Sequence, residues 1–184
     1  LARDEIKRFK GKITKTASKR KVAAFIQNIH HFRDAYLPPS EQIPAEKVAI
    51  FDEAQRAWTK EQTAKFMLKR HVPGWNMSEP EFLISVMDRH QDWTVIICLI
   101  GGGQEIHTGE AGLLAWFDAL RDHFPDWNVY VSPQISDVEY THGKQLEHLF
   151  TGLRLYREPN LHLSVSLRSF PVSYTHLRAH ETLS

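Results

Sequence analysis

The sequence predicts an α/β fold in which helices cover both sides of a mostly parallel sheet. Short apolar runs of strand length alternate along the chain with longer segments of helical periodicity. The strongest run, residues 93–100, is apolar at most positions, which is typical of a parallel strand covered on both faces. A chain of 184 residues with 42% hydrophobic and 24% charged residues can bury a core of its own as one domain. We therefore expect a three-layer architecture.

The composition excludes several classes of protein. The single cysteine, Cys98, lies inside the apolar run, so we expect a small buried hydrophobe in a reducing compartment, neither a disulfide partner nor a nucleophile. No segment approaches the roughly 18 apolar residues of a membrane span, and the first residues contain no apolar core of a signal peptide. We expect a cytoplasmic protein without membrane contact.

The first half of the chain predicts two strands and several helices. Residues 1–10 have the pattern of a helix that ends at Gly11. The segment 22–29 is ambiguous, and we favour a strand over its second half that runs into a helix through residues 30–37. Residues 48–51 form a short apolar run of strand length, and a helix is expected from about residue 54 to residue 70.

The second half begins with a well-marked helix start. Ser78 as N-cap, followed by acidic residues and a proline in the first turn, predicts a helix through about residue 90. The strand at 93–100 then ends in three glycines. A helix is expected over residues 113–124, and further strands over 127–131 and 161–167.

Polar residues follow two of these strands, where α/β sheets bind ligands. Asp52 and Glu53 come directly after residues 48–51. In a nucleotide hydrolase the aspartate of such a pair binds Mg²⁺ and the glutamate polarises the attacking water, although acidic pairs at strand ends are also common without a function. Gln104 and Glu105 lie in a glycine-rich loop after the next strand, which is either a phosphate-binding turn or simply a tight turn.

Four segments together resemble one known family: IFDEAQRAW (50–58), SEPEFL (78–83), IICLIGGGQEIHTGEAG (96–112) and LHLSVSLRSF (161–170). They resemble the Schlafen group 3 DNA/RNA helicase domain, a bacterial and phage family of P-loop ATPases related to superfamily-one helicases. The resemblance extends from residue 1 to about residue 170. It implies a RecA-like domain that couples hydrolysis of Mg·ATP to work on DNA or RNA.

The resemblance also implies roles for individual residues. DEAQ resembles the Walker B element, with Asp52 for Mg²⁺, Glu53 as catalytic base and Gln55 near the nucleotide. GGGQE resembles motif III, which implies that Gln104 senses the γ-phosphate. SLRSF resembles motif IV at the start of a second RecA-like domain, with Arg168 stabilising transition-state charge.

The nucleic-acid contacts implied by the resemblance are less sharply defined. NIHHF, which contains His30 and His31, lies where the family's motif Ib would contact nucleic acid. Arg56 either contacts nucleic acid or completes a helix surface. Trp58 is either a packing residue or a base-stacking residue, and the sequence leaves both alternatives open.

The sequence departs from the family pattern in lacking a P-loop. No G-x-x-x-x-G-K-[ST] motif is present, because the glycine–lysine pairs at 11–12 and 143–144 are followed by Ile13 and Gln145. We expect the loop to precede residue 1, so that residues 1–171 form an incomplete first RecA-like domain, inactive alone. Residues 172–182 resemble a translated sequencing adapter, so we expect the tail 172–184 to be non-native.

Other functions stay open at this point. Residues 1–21 carry nine basic and two acidic side chains, a charge of +7 that suits either a solvated surface or phosphate contacts. This segment favours the main alternative, a non-catalytic nucleic-acid-binding or regulatory module. Two further hypotheses have less support from the sequence: a nuclease with Asp52 and Glu53 as metal ligands, and a zinc site at His142 and His148.

Overall fold

A computed structural model describes residues 16–17, 29–101, 112–136 and 150–163 of the chain. The helices bounded within these ranges are α1 (Ile29–Ala35), α2 (Lys60–Lys69), α3 (Glu79–Met87) and α4 (Leu114–His123). The strands are β1 (Val48–Phe51), β2 (Val95–Cys98), β3 (Asn128–Val131) and β4 (Arg154–Arg157). Short 3₁₀ helices occur at Ala54–Arg56, Pro133–Ser136 and Pro159–Leu161.

The strands form two parallel pairs. β1 pairs with β2 from Val48↔Val95 to Phe51↔Cys98, and β3 pairs with β4 from Asn128↔Arg154 to Val131↔Arg157. The fold is therefore mixed α/β with parallel strands, as the sequence predicts. Within the described ranges each sheet has two strands, so the three-layer RecA-like sheet stays a prediction.

Two apolar clusters hold these elements together. In the first, α3 and α4 supply Leu83, Ile84 and Trp116 against Phe51 at the end of β1, with half-buried residues of β2 packed beside them. The second cluster joins α4 to β3 and centres on the buried residues Leu113, Phe117 and Val131. Helix α4 contributes to both clusters, so it connects the two sheets.

The β1–β2 sheet is covered on one face only by the described residues. Ala49, Phe51, Ile96 and Cys98 face the first cluster. The opposite face, which we call the outer aliphatic face, consists of Val48, Ile50, Val95 and Ile97, with exposures between 40 and 62%. Cover on the second face of this sheet therefore stays a prediction, since no described residue supplies it.

The helix predicted from residue 54 to residue 70 is in fact two helices. A single 3₁₀ turn at Ala54–Arg56 is followed by extended backbone at Ala57, and α2 begins only at Lys60. Thr59 is the N-cap, since its hydroxyl accepts a hydrogen bond from the Gln62 backbone N–H at 3.3 Å. A threonine cap starts a new helix because it satisfies a backbone donor that would otherwise lack an intrahelical partner.

The predicted start of helix α3 after Ser78 is confirmed. The Ser78 hydroxyl accepts from the Glu81 N–H at 3.2 Å, and the Glu81 carboxylate accepts from the Ser78 N–H at 3.3 Å, which completes a capping box. The predicted helix at 113–124 and strand at 127–131 are also confirmed, with ends one residue shorter where they differ.

One strand was not predicted, and the strand predicted at 161–167 is described only at its first three residues. β4 lies at Arg154–Arg157, whereas Leu161, the predicted start, belongs to the 3₁₀ helix Pro159–Leu161. Pro159 lacks a backbone donor, and the Glu158 carboxylate accepts from the Asn160 N–H at 3.0 Å, which stabilises a turn there. Residues 164–167 and the elements predicted at 1–10 and 22–28 lie outside the described ranges.

Candidate functional site

Residues 52–55, which we call the DEAQ turn, lie at the carboxyl end of β1. Two backbone hydrogen bonds fix this position: Leu99 N–H donates to the Phe51 carbonyl at 2.9 Å, and Ala54 N–H donates to the Leu99 carbonyl at 3.0 Å. The ladder between β1 and β2 thus continues into the turn. The acidic pair of the turn is therefore placed beside the point where β2 enters the glycine-rich segment.

The backbone of the turn is unusual at Glu53. Its φ of 54° and ψ of 43° lie in the left-handed region, which costs a non-glycine residue on the order of 1–3 kcal/mol. Two contacts define the local geometry: the Asp52 carboxylate accepts from the Glu53 N–H at 3.1 Å, and the Glu53 carboxylate accepts from the Gln55 side-chain amide at 2.8 Å. Asp52 is exposed and Glu53 half-buried.

Gln55 lies beneath the turn, with 6% of its surface exposed. Its side-chain amide N–H donates to the Glu53 carboxylate, and its buried Oε1 accepts no hydrogen bond from the described residues. The predicted contact between Gln55 and a nucleotide stays a prediction.

The DEAQ turn is also joined to the far end of the glycine-rich loop. Gly112 N–H donates to the Gln55 carbonyl at 3.1 Å, and the Trp116 indole N–H donates to the Ala54 carbonyl at 2.8 Å. Gly112 has a φ of 66°, which suits glycine. The loop that the sequence predicts to contact phosphate therefore begins and ends beside the DEAQ turn.

A buried ion pair supports the chain that follows the turn. The Arg33 guanidinium donates to the Glu79 carboxylate at 3.0 Å, and each side chain is only 1% exposed. The other Glu79 oxygen accepts from the Trp58 N–H at 2.9 Å. The guanidinium lies 4.7 Å from the Trp58 ring centroid and 4.0 Å from that of Phe66. Trp58, left open by the sequence, therefore packs in a cation–π arrangement.

The histidines predicted to contact nucleic acid lie at the start of α1. The His30 ring is 4.9 Å from the Trp58 ring, and its Nδ1 lies 4.0 Å from a Glu79 oxygen. His31 is exposed, as is Arg56 in the 3₁₀ turn. The structure thus places His30 beside Trp58, in the segment that follows the DEAQ turn.

A model of the family "Schlafen group 3, DNA/RNA helicase domain" matches residues 1–176 of the chain. The chain belongs to this family. Comparisons with curated proteins and with solved structures returned no match. Membership identifies the chain as a helicase-like region and indicates interaction with nucleic acid. The boundary predicted at residues 171 and 172 stays a prediction.

Several site residues predicted for this Schlafen group 3 domain lie outside the described ranges. They are Gln104 and Glu105 in the glycine-rich loop, Arg168, and the histidines His142 and His148. Within residues 16–17, 29–101, 112–136 and 150–163, no group of three or more His, Cys, Asp or Glu side chains is placed to hold a metal ion. No helix among those residues is both long and apolar enough to cross a membrane.

Cys98 in this helicase-family domain packs against the core, as its sequence predicts. Its half-buried side chain faces the first apolar cluster, and burial raises the pKa of the thiol to about 12. A thiol is nucleophilic only as the thiolate, which this raised pKa disfavours.

Two features of the domain were missed by sequence reasoning. The pairing of Arg33 with Glu79 joins residues 46 positions apart, and no local pattern marks it. The second is a stacked pair of exposed tyrosines, Tyr130 and Tyr156, on neighbouring strands. Tyr156 lies on β4, which was not predicted, although the alternation R-L-Y-R could have indicated a half-buried strand.

Proposed function

We propose that this domain supplies the Mg²⁺-binding and water-activating carboxylates of an ATP-dependent DNA or RNA helicase or translocase. The observation that supports the proposal is the position of the DEAQ turn. Backbone hydrogen bonds join Ala54 of the turn to Leu99 and Gln55 of the turn to Gly112, so both ends of the glycine-rich loop lie beside the DEAQ turn. In nucleotide hydrolases an acidic pair at the end of a parallel strand is placed to hold Mg²⁺ and to activate the attacking water.

In this proposal the two carboxylates have different roles. Asp52, exposed at the end of β1, would hold Mg²⁺, which neutralises charge on the phosphates when bound. Glu53 would accept a proton from the attacking water, and the Gln55 amide would hold its carboxylate in one orientation. Gln104 would sense the γ-phosphate, and Arg168 would stabilise charge in the transition state.

ATP hydrolysis also requires a phosphate-binding loop that this sequence lacks. No G-x-x-x-x-G-K-[ST] motif occurs in the 184 residues. We therefore propose that the chain alone does not turn over ATP. His30, His31 and Arg56 are the proposed contacts to DNA or RNA, since α1 packs against Trp58 directly after the DEAQ turn.

A second candidate is a non-catalytic nucleic-acid-binding or regulatory module. The missing P-loop motif and the +7 charge of residues 1–21 favour it. ATP turnover distinguishes the two functions, because a non-catalytic module gains none when a phosphate-binding loop is supplied.

The test is Glu53→Gln in a longer protein that contains this chain together with a phosphate-binding loop. We expect ATP turnover to fall by about 10²–10⁴-fold, the contribution of a general base, while ATP binding stays the same. Glu61→Gln is the matched control, because Glu61 is exposed on α2 outside the DEAQ turn. Unchanged turnover in Glu53→Gln would show that Glu53 is not the base.

A further inference from the structure

The β3–β4 sheet presents a mixed aromatic and polar face to solvent. Strand alternation turns Val129, Val131 and Leu155 toward the second apolar cluster. The opposite face, which we call the tyrosine face, is formed by two register pairs of exposed residues: Asn128 with Arg154, and Tyr130 with Tyr156.

The two tyrosines form a short stack in solvent. Their ring centroids are 5.0 Å apart with an angle of 21° between the planes, while Tyr130 is 60% and Tyr156 is 48% exposed. Near-parallel rings at this distance leave their outer faces available for another planar group. A planar base can therefore extend the stack at either end.

Arg154 places a positive charge beside the stack. Its guanidinium donates to the Asp126 carboxylate at 2.7 Å and to the Asp126 carbonyl at 3.0 Å, which uses two of its five N–H donors. Both side chains of this ion pair are mostly exposed, at 55% and 87%, so the pair is weak. A phosphate can compete for the guanidinium, because arginine binds phosphate with the same planar geometry as carboxylate.

The tyrosine face differs in chemistry from the outer aliphatic face of β1–β2. That face carries only valine and isoleucine and suits apolar contact alone. The tyrosine face combines π surfaces with an amide at Asn128 and a guanidinium at Arg154. This combination matches the three parts of a nucleotide: the base face, the base edge and the phosphate.

We propose that the tyrosine face binds single-stranded nucleic acid, with unpaired bases stacked on Tyr130 and Tyr156 and the backbone near Arg154. This inference rests on the proposed function, since it adds a nucleic-acid contact to the same domain. The contact does not depend on base sequence, because every base has a π face. Bases inside a duplex are already stacked on one another, so a duplex binds this face more weakly.

The test uses the full 184-residue chain and fluorescein-labelled oligothymidylate and oligouridylate, with binding followed by fluorescence anisotropy. We expect Tyr130→Leu/Tyr156→Leu to weaken binding of both probes by about tenfold or more. The double Tyr→Phe variant keeps the rings and is expected to bind as the unmodified chain does. Trp93→Leu is the matched control, because Trp93 is an aromatic side chain exposed to 55% elsewhere on the surface.

A second measurement separates binding from a purely structural role. Photocrosslinking with a 5-bromouracil probe is expected to label peptides that contain Tyr130 or Tyr156. If the leucine variant only lowers the melting temperature and leaves probe affinity and crosslinks unchanged, the tyrosines are a structural pair and the proposal is wrong. Equal competition by a neutral proline-rich peptide or by a duplex would also overturn it.

Failure of this proposal can be distinguished from failure of the proposed function. The tyrosine face is tested by probe binding to the 184-residue chain, whereas the role of Glu53 is tested by ATP turnover in the longer protein. Loss of probe binding in the leucine variant therefore supports the tyrosine face whatever Glu53→Gln does to ATP turnover.

Discussion

The Arg33–Glu79 ion pair connects the segment after the DEAQ turn with the helix that carries His30. Glu79 accepts from the Trp58 backbone and from Arg33, so one buried carboxylate holds α1, α3 and the segment after the turn together. Removing one partner of such a pair leaves the other charge buried without compensation, which is costly.

Arg33→Met is therefore expected to destabilise the domain by about 3–5 kcal/mol. Methionine keeps contact with the Trp58 and Phe66 rings but leaves the Glu79 carboxylate unpaired. Arg33→Met/Glu79→Gln should recover part of this loss, because a neutral glutamine can still accept from the Trp58 N–H. Urea denaturation measures the free energy of unfolding of the unmodified chain, of Arg33→Met and of the double variant.

Arg70→Met is the matched control for this experiment. Arg70 pairs with Asp34 at 2.8 Å, but its side chain is 52% exposed, so we expect a change below about 1 kcal/mol. The role given to Glu79 would be contradicted if the double variant were no more stable than Arg33→Met alone.

The elements show why some helix boundaries are predictable and others are not. At α3 the cap residue, the capping-box glutamate and the proline lie within four positions, so the local sequence is sufficient to predict where the helix begins. At the DEAQ turn the local apolar pattern is helical. Tertiary hydrogen bonds from Ala54 to Leu99 and from Trp116 to Ala54 instead hold the backbone in a turn. Contacts of this kind join residues far apart in sequence, which periodicity does not reveal.

The sequence predicts the position of the candidate site but not its geometry. The position of Asp52 and Glu53 after a strand follows from local sequence and is confirmed by β1. The left-handed backbone of Glu53 and its bond from Gln55 depend on how the turn packs against β2 and α4. Local pattern thus locates the acidic pair, whereas its geometry is a tertiary property.

The capping box at α3 provides a test at the element scale. Ser78→Ala removes the hydroxyl that accepts from the Glu81 N–H and is expected to cost about 1 kcal/mol. Ser85→Ala is the control in the same helix, because the Ser85 hydroxyl only donates back to the Phe82 carbonyl, and its loss should change stability by less than about 0.5 kcal/mol. Equal effects of the two substitutions on chemical denaturation would contradict the capping role.

At the scale of the whole molecule, the two described strands of β1–β2 need packing partners, because a two-stranded sheet alone is only marginally stable. Helices α3 and α4 supply this packing on the inner face of the sheet. On the other side, Ile50 is 62% exposed and Ile97 is 40% exposed, and they are register partners on the outer aliphatic face. Contiguous exposed apolar surface beside strand edges favours association between molecules.

We therefore expect the purified 184-residue chain to self-associate as its concentration rises. In Ile50→Glu/Ile97→Lys, the two partners carry opposite charges across the strands, which removes the apolar surface without placing like charges together. This variant should sediment as a smaller species at the same concentration and bind less of a hydrophobic dye. Because both side chains lie on the exposed face, the unfolding midpoint of this variant should stay close to that of the unmodified chain.

Ile96→Lys is the control on the opposite face of the sheet. Ile96 packs against the first apolar cluster, so a lysine there would bury a charge and should unfold the domain. A concentration-independent monomer for the unmodified chain would show that the outer aliphatic face does not drive association.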